Sequence, residues 1–440
     1  MCCDTRFWGG ILILCLIATG VEAADRAILT TTDFSSGSIA VVDLETFVAT
    51  ENVLNIHSDA GVQFYNGRVY VINRLGQDNI LVLNPEDLSK PERQFSVGNG
   101  TNPQAIAFVS DSKAYVTRYE STHLLMVNPS TGDSLGSVDL SGFADSDGIP
   151  EMSQMAIWQE QLYVLCQRLD RNNGFAPTDR SEVAVVDVNT DALKDMNANE
   201  AGVQGIVLAL KNPTDAFQVQ GKFYLSCVGS FTEFEDGGIE VLNLAENTSE
   251  GVVVGGTELG GNPGALAVGA NQKGYAVVSD ATFANTVRPF DASAKTVSAG
   301  LSGISGGFVP DLGILNGRLY VADQGSFTDP ASAGFRVYDT QTDLLVAGPI
   351  ATGLPPSDIA FITETQDQPT TTIPSDPVEA ADFSGDGTVD FNDFLFFAQN
   401  FGKSSDDSDF NARIDITQDG KVDFADFLAF AQQFGKQVGG

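Results

Sequence analysis

The stretch NPQAIAFVSDSKAYVTRYESTHLLMVNPSTG, Asn102–Gly132, holds three short apolar runs separated by polar turns. A proline-led turn opens onto AIAFV, a polar hairpin leads into AYVTRY, and LLMVN closes on Pro-Ser-Thr-Gly. β-Branched and aromatic residues alternate at period two with no helical period, so the runs read as successive antiparallel strands. The unit recurs between Arg26 and Ile362. Its third run is the easiest to follow: VVDLET at Val41, VLNPED at Val82, MVNPST at Met126, VVDVNT at Val185, VLNLAE at Val241, PFDASA at Pro289 and VYDTQT at Val337. The Asp or Asn of each falls at 43, 84, 128, 187, 243, 291 and 339, at intervals of 41 to 59 residues. Repeats of this length are blades of four short strands, and closing them into a ring removes exposed sheet edges.

The first unit, AILTTTDF from Ala27, lacks a proline-led inner strand, whereas LPPSDIAFI from Leu354 follows the seventh unit. That last strand is expected to pair with the N-terminal strands and close the ring. The predicted fold is an all-β seven-bladed β-propeller over 24–362, with blade 4 set apart by the insertion CQRLDRNNGFAPTDRSE from Cys166. YVINR at Tyr70, YVTRY at Tyr115 and YVADQ at Tyr320, with their VVDxxT-like and GNxPxxIAF-like neighbours, resemble YVTN-type propellers of bacterial surface proteins. The resemblance implies the fold. It leaves function open, because such propellers include surface proteins, binders and a few lyases.

In a propeller the loop between second and third strands shares a face with the turn entering the inner strand. Phe231 and Phe327 each lie seven residues after a strand-leading Tyr, Tyr224 and Tyr320; Phe34 has the same offset from Ala27, and Phe283 is one residue further from Tyr275. Phe175 sits in the blade 4 insertion. These aromatics either form a stacking surface for a glycan or a protein, or pack each loop onto its neighbour. Arg118, Asp280 and Asp323 close second strands and are candidates for the channel mouth. Pro103, Pro213, Pro263, Pro310 and Pro356 recur ahead of inner strands and fix turn geometry there.

Catalytic chemistry has little to work with. His57 and His123 are the only histidines, too few for a three-His metal site. No nucleophile elbow and no phosphate-cradling loop occurs. Cys166 and Cys227 hold equivalent places in adjacent blades, beyond ordinary disulfide reach, and are expected as buried thiols.

Beyond a Thr/Pro-rich linker at 363–378, the chain nearly repeats itself: DFSGDGTVDFNDFLFFAQNFG from Asp382 and DITQDGKVDFADFLAFAQQFG from Asp415. In the first copy Asp382, Ser384, Asp386, Thr388, Asp390 and Asp393 occupy positions 1, 3, 5, 7, 9 and 12 of a twelve-residue loop, with Gly387 at position 6. In the second, Asp415, Thr417, Asp419, Lys421, Asp423 and Asp426 do so, with Gly420 at position 6. This is EF-hand spacing: alternate residues of a tight loop turn oxygens to one point, and position 7 contributes only its backbone carbonyl. Two calcium ions are expected. The apolar face of each following helix is predicted as Phe394, Leu395, Phe397, Ala398 and Phe401, and as Phe427, Leu428, Phe430, Ala431 and Phe434. Asp at position 12 in both copies, a 33-residue repeat and no first entering helix make 379–440 resemble a type I dockerin, a small α-helical calcium module. The resemblance implies a cohesin-like or cell-surface receptor. The hydroxyls at position 3 depart from the family's pattern, as do Phe391-Asn392 and Phe424-Ala425 at positions 10 and 11, where cellulosomal dockerins carry hydroxyl pairs.

With 58 acidic against 23 basic residues and a formal charge of −35, the chain would repel nucleic acid and anionic lipid. Residues 1–23 read as a secretory signal peptide, with an apolar run from Phe7 to Ala18 too short to span a bilayer. No later segment reads as a membrane span. The functional expectation is a secreted or surface-exposed, non-catalytic binding propeller on a calcium-dependent attachment module. The alternatives are a dockerin-borne carbohydrate-active hydrolase or lyase, and a structural surface-layer component.

Overall fold

The computed structural model describes residues 25–200, 202, 204–363, 377–383, 387–404, 411, 413–417 and 421–437, without the side chains of 377, 379, 399 and 425. The expected signal peptide and residues 364–376 of the expected linker lie outside this set, as do Ser384, Asp386 and Asp419 of the loops.

Seven antiparallel sheets form the body. Their innermost strands are Pro356–Ile362, Ala60–Tyr65, Pro103–Ser110, Met152–Trp158, Pro213–Val219, Asn262–Val268 and Asp311–Leu315, and each touches the next in a closed cycle. The ring closes as the sequence predicts. Pro356–Ile362 pairs antiparallel with Arg26–Thr32, so the first blade is built from both ends of the propeller segment. Seven apolar clusters fill the blade interfaces, one at each. Tyr115, Tyr163, Tyr275 and Tyr338 are among the largest wholly buried side chains.

The recurrent Asp or Asn ends the third strand and starts the turn into the fourth. Asp187 Oδ1 accepts from the backbone N–H of Asn189 and Thr190 and from the Thr190 hydroxyl, at 3.0–3.1 Å. Asp43 and Asp339 make the same set. A side chain mimicking a backbone turn is the local reason these residues repeat. The threonine hydrogen bonds hold Asp43, Asp187 and Asp339 below the usual carboxylate range.

Blade 4 departs from the regular count. Its fourth strand is split into Leu193–Lys194 and Ile206–Val207, and its insertion forms the two-stranded hairpin Leu169–Asp170 with Ala176–Pro177. Blade 6 has a fourth strand of only two residues, Thr296–Val297, and a single-turn helix, α1 (Gly256–Leu259), precedes it in the chain. Cys166 and Cys227 are free and buried, and burial pushes both thiols up.

Three aspartates stand on inner strands, and each ties its blade to the next. Asp215 Oδ2 accepts from Leu266 N (2.8 Å), Asp311 Oδ2 from Ile359 N (2.9 Å) and Asp358 Oδ2 from Val62 N (2.9 Å). Burial pushes the Asp215 carboxyl up to about 7. Burial, then the neighbouring Asp358 carboxyl, raises Asp311 well above the usual range.

Toward the C-terminus lie α2 (Pro377–Ala381), α3 (Phe391–Asn400) and α4 (Phe424–Ala431). Two small clusters hold them together: Ala381, Val389 and Phe430, and Phe397, Ile414 and Val422, with Phe383 and Phe427 against both.

Candidate functional site

In the tail, the acidic residues do two jobs at once. Asp390, at loop position 9, is the N-cap of α3: its side chain accepts from Asn392 N (2.7 Å), while Asp393 Oδ2 accepts from Asp390 N (2.7 Å). The second loop repeats the reach-back, Asp423 N donating to Asp426 Oδ2 at 2.8 Å. Asp393 therefore serves as a capping-box acid, and Asp426, which makes the same reach-back, also turns Oδ1 into its loop to accept from Thr417 N at 2.8 Å. Asp393 and Asp426 are wholly buried, and Asp382 and Asp415 at position 1 nearly so. Asp382 Oδ2 accepts from the N–H of Gly387, whose φ of 85° is the left-handed turn that position 6 demands. In the second loop the Thr417 hydroxyl lies 2.9 Å from Asp426 Oδ1 and 3.5 Å from Asp415 Oδ1. Oxygens from positions 1, 3 and 12 thus converge on one point, a donor set of hard oxygens that suits calcium. Among the described residues no group of three or more His, Cys, Asp or Glu is arranged as a metal cluster.

The two loops are linked reciprocally. Val389, at position 8 of the first, donates from its N–H to Lys436 O (2.9 Å) and accepts from Gly435 N (2.7 Å). Val422, at position 8 of the second, donates to Lys403 O and accepts from Gly402 N, both at 2.8 Å. Each loop is pinned to the Phe-Gly-Lys segment that follows the other copy's helix, and equivalent residues of the two sets are 33 residues apart.

The predicted apolar helix faces need correction. Phe394, Phe397, Phe427 and Phe430 turn inward, but Leu395, Ala398, Phe401, Leu428, Ala431 and Phe434 are exposed. With Phe391 and Phe424, each 62% exposed, they form one outward stripe per helix at i, i+4, i+7 and i+10. Each helix has two apolar faces, and only one is used by the core.

On the ring, all five expected phenylalanines sit on loops between second and third strands. Phe327 is 93% exposed, Phe283 72% and Phe34 67%, with Phe231 and Phe175 about half. Two of them meet partners: Phe283 packs edge-on to Phe234 at 5.5 Å, and the Arg171 guanidinium lies over Phe175 at 5.6 Å and over Tyr119 at 5.7 Å. Arg118 spends its guanidinium on backbone carbonyls, donating to His123 O (2.7 Å) and Val97 O (3.2 Å). Asp280 is exposed and organises its own loop, accepting from Thr282 and Ala284. Asp323 is buried instead of lining the channel mouth. Its oxygens are taken by Ser305 N, Gly325 N and the buried Arg336 guanidinium at 3.0 Å.

A neighbouring cluster gave no repeat signal, because it belongs to the blade 4 insertion. Arg171 donates to Glu151 Oε1 (2.8 Å) and pairs with Glu120, and Leu169 N donates to Glu151 Oε2 (3.0 Å). Burial pushes the Glu151 carboxyl up to about 7. Both Glu151 oxygens are engaged in holding the Phe175 hairpin against the ring. His57 braces its own turn through Asp59 N (3.2 Å), and His123 is exposed beside Thr122.

Comparison with known proteins supports both parts. Residues 366–434 match the family model of the Dockerin type I domain. No curated protein matches the chain significantly. Among solved structures, a putative 6-phosphogluconolactonase from Bacteroides fragilis NCTC 9343 is similar with a TM-score of 0.55 at 12% identity, over 78% of this chain and 99% of that one. A functionally unknown protein from Desulfotomaculum acetoxidans DSM 771 gives 0.51 at 12% identity, over 76% and 98%. At such identities the likeness is one of fold. The chain is a seven-bladed β-propeller followed by a dockerin type I region. Among the described residues no helix is long and apolar enough to cross a membrane.

Proposed function

We propose that the protein is an exported, non-catalytic recognition propeller, carried by a calcium-dependent attachment module to a cohesin-like receptor on a surface scaffold. The observation that carries this reading is the doubled loop. In the second loop the Thr417 hydroxyl lies within 3.5 Å of oxygens of both Asp415 and Asp426, and Asp382 and Asp393 are buried at the matching positions of the first, within a stretch that matches the dockerin type I domain. Dockerin domains generally bind calcium and cohesins, and dockerin-bearing proteins are typically extracellular. The proposed division is a signal peptide at 1–23, the propeller at 24–362, a linker at 363–378 and the module at 379–440.

One calcium ion would be held by Asp382, Ser384, Asp386, the Thr388 carbonyl, Asp390 and Asp393, and a second by Asp415, Thr417, Asp419, the Lys421 carbonyl, Asp423 and Asp426. Bound calcium would neutralise a segment that has 12 acidic and 4 basic residues over 379–440, a net charge of −8. The receptor would dock on the outward stripes through Phe391, Leu395 and Phe401 or their counterparts. This makes an apolar recognition surface where hydroxyl pairs stand in cellulosomal dockerins.

The propeller ligand, a glycan or a protein, would meet the face carrying Phe34, Phe175, Phe231, Phe283 and Phe327. Asp280 and Arg118 lie on that face as loop-shaping groups. Pull-down of the full chain on immobilised cohesin domains, with calcium and with EDTA, tests the attachment. Calcium-dependent capture that Phe391→Glu with Phe424→Glu abolishes is the expected result; no capture by any cohesin overturns the receptor. Turnover on a polysaccharide panel would establish the hydrolase or lyase instead.

A further inference from the structure

On the face opposite the exposed phenylalanines, a repeated clamp joins neighbouring blades. In blade 3, Lys113 and Tyr115 of the second strand both grip Asp191, in the turn between third and fourth strands of blade 4; Lys113 Nζ lies 2.7 Å from its carboxylate and the Tyr115 hydroxyl donates to it. In blade 6, Lys273 Nζ (2.8 Å) and the Tyr275 hydroxyl (2.7 Å) hold Asp343 of blade 7 in the same way. In blade 4 the Tyr163 hydroxyl donates to Asn247 Oδ1 of blade 5 at 2.7 Å. The turn residue is left-handed each time, with φ of 57°, 58° and 57° at Asp191, Asp343 and Asn247. At two other junctions an aromatic fills the space: Phe47 lies under Arg318 at the junction of blades 7 and 1, and Phe108 lies against Tyr70 between blades 2 and 3.

The junction of blades 5 and 6 breaks this pattern. Lys222 and Tyr224 are present on the second strand, but the turn residue, at φ 55°, is Lys295. Two ammonium groups cannot share the clamp. Lys295 turns to the carbonyl of Val252 (3.0 Å) and Lys222 to Glu250 of its own blade. Among the described residues the Tyr224 hydroxyl meets no protein acceptor. A cavity of about 240 Å³ remains, lined by Val219, Lys222, Tyr224, Glu250, Val253 and Lys295. Two lysines against one glutamate leave this spot one positive charge in excess, on a chain of net charge −35.

We propose that this cavity binds a small organic carboxylate, whose anionic group takes the place that Asp191 and Asp343 occupy in the sister clamps. The Tyr224 hydroxyl and the two lysine ammonium groups would hold the carboxylate, and Val219 and Val253 would cover the body of the molecule. The volume lies below the roughly 300–1,000 Å³ of drug-sized sites, so the ligand is no larger than a monosaccharide acid. This inference does not depend on the tail or on the opposite face.

The test is calorimetric titration and thermal unfolding of the full chain in calcium at low ionic strength. Glucuronate and succinate are the probes, with glucose as the uncharged control. Both acids should bind saturably and raise the propeller transition, and glucose should do neither. Tyr224→Phe should weaken binding about tenfold. Lys295→Asp should raise the transition without ligand, by restoring the clamp, and abolish the response. Lys295→Met should keep the fold and weaken binding, while Lys90→Asp at an exposed strand should respond as the native protein does. No saturable binding of either acid, equal binding of glucose, or an undiminished response in Lys295→Asp would overturn the proposal.

Discussion

Replacing Asp215 by Asn should make the propeller more stable at pH 8 and no more stable at pH 4. The Asp215 carboxyl stands on the inner strand of blade 5, accepts from Leu266 N, and is pushed by burial to about 7 from an ordinary 3.8. An acid whose folded value is raised keeps its proton in the folded ring after the unfolded chain has lost it. Folding then binds extra protons between about pH 4 and pH 7, and stability falls as pH rises through that window. At ~1.4 kcal/mol per unit, a shift of about 3 units corresponds to ~4 kcal/mol. The residue is not wholly removed from solvent, which lowers the figure to about 2–4 kcal/mol. Asn keeps an oxygen for Leu266 N and carries no charge to bury, so the variant should lose this component of the pH slope. The assay is urea unfolding of both proteins from pH 4.5 to 8.5 in calcium, followed by tyrosine and tryptophan fluorescence. Parallel pH profiles for the two proteins would refute the reasoning.

Arg336→Met should destabilise the propeller by about 3–5 kcal/mol, because it leaves the buried Asp323 without its cation; adding Asp323→Asn should recover most of the loss, read as denaturation midpoints. Cys166 and Cys227 should give the same intact mass with and without reductant, and should react with iodoacetamide only once the ring is unfolded. Phe327→Ser should change stability by less than about 0.5 kcal/mol, since the side chain is almost fully exposed, a result readable from the same unfolding curves.

The blade count was legible because one turn chemistry recurs. An Asp or Asn that accepts from the N–H groups two and three residues on stands at the end of the third strand in six blades, and Asn84 accepts from Glu86 N in blade 2, so counting these residues counts blades. The closing strand was legible because Pro355-Pro356 begins a strand the first blade lacks. Blade 4 was harder: Leu193–Lys194 and Ile206–Val207 form one edge interrupted by eleven mostly polar residues, which no periodicity reveals. Asp323 could not be distinguished from a rim residue, since its burial follows from Arg336, a residue of the adjacent strand that reads as ordinary polar surface. The helix faces misled for a physical reason. Phe at 391, 394, 397 and 401 satisfies helical spacing on both sides of the cylinder, and a neighbour's packing decides which side is inner. The cavity between blades 5 and 6 was invisible in a single unit, because it appears only when Lys295 is compared with Asp191, Asn247 and Asp343 across a junction.

The most direct measurement is calorimetric titration of calcium into the metal-stripped full chain, beside the Asp393→Ala, Asp426→Ala double variant. Two ions taken up per chain by the native protein at millimolar calcium or below, and none by the variant, is the predicted result. No detectable uptake by the native protein at millimolar calcium would contradict the account.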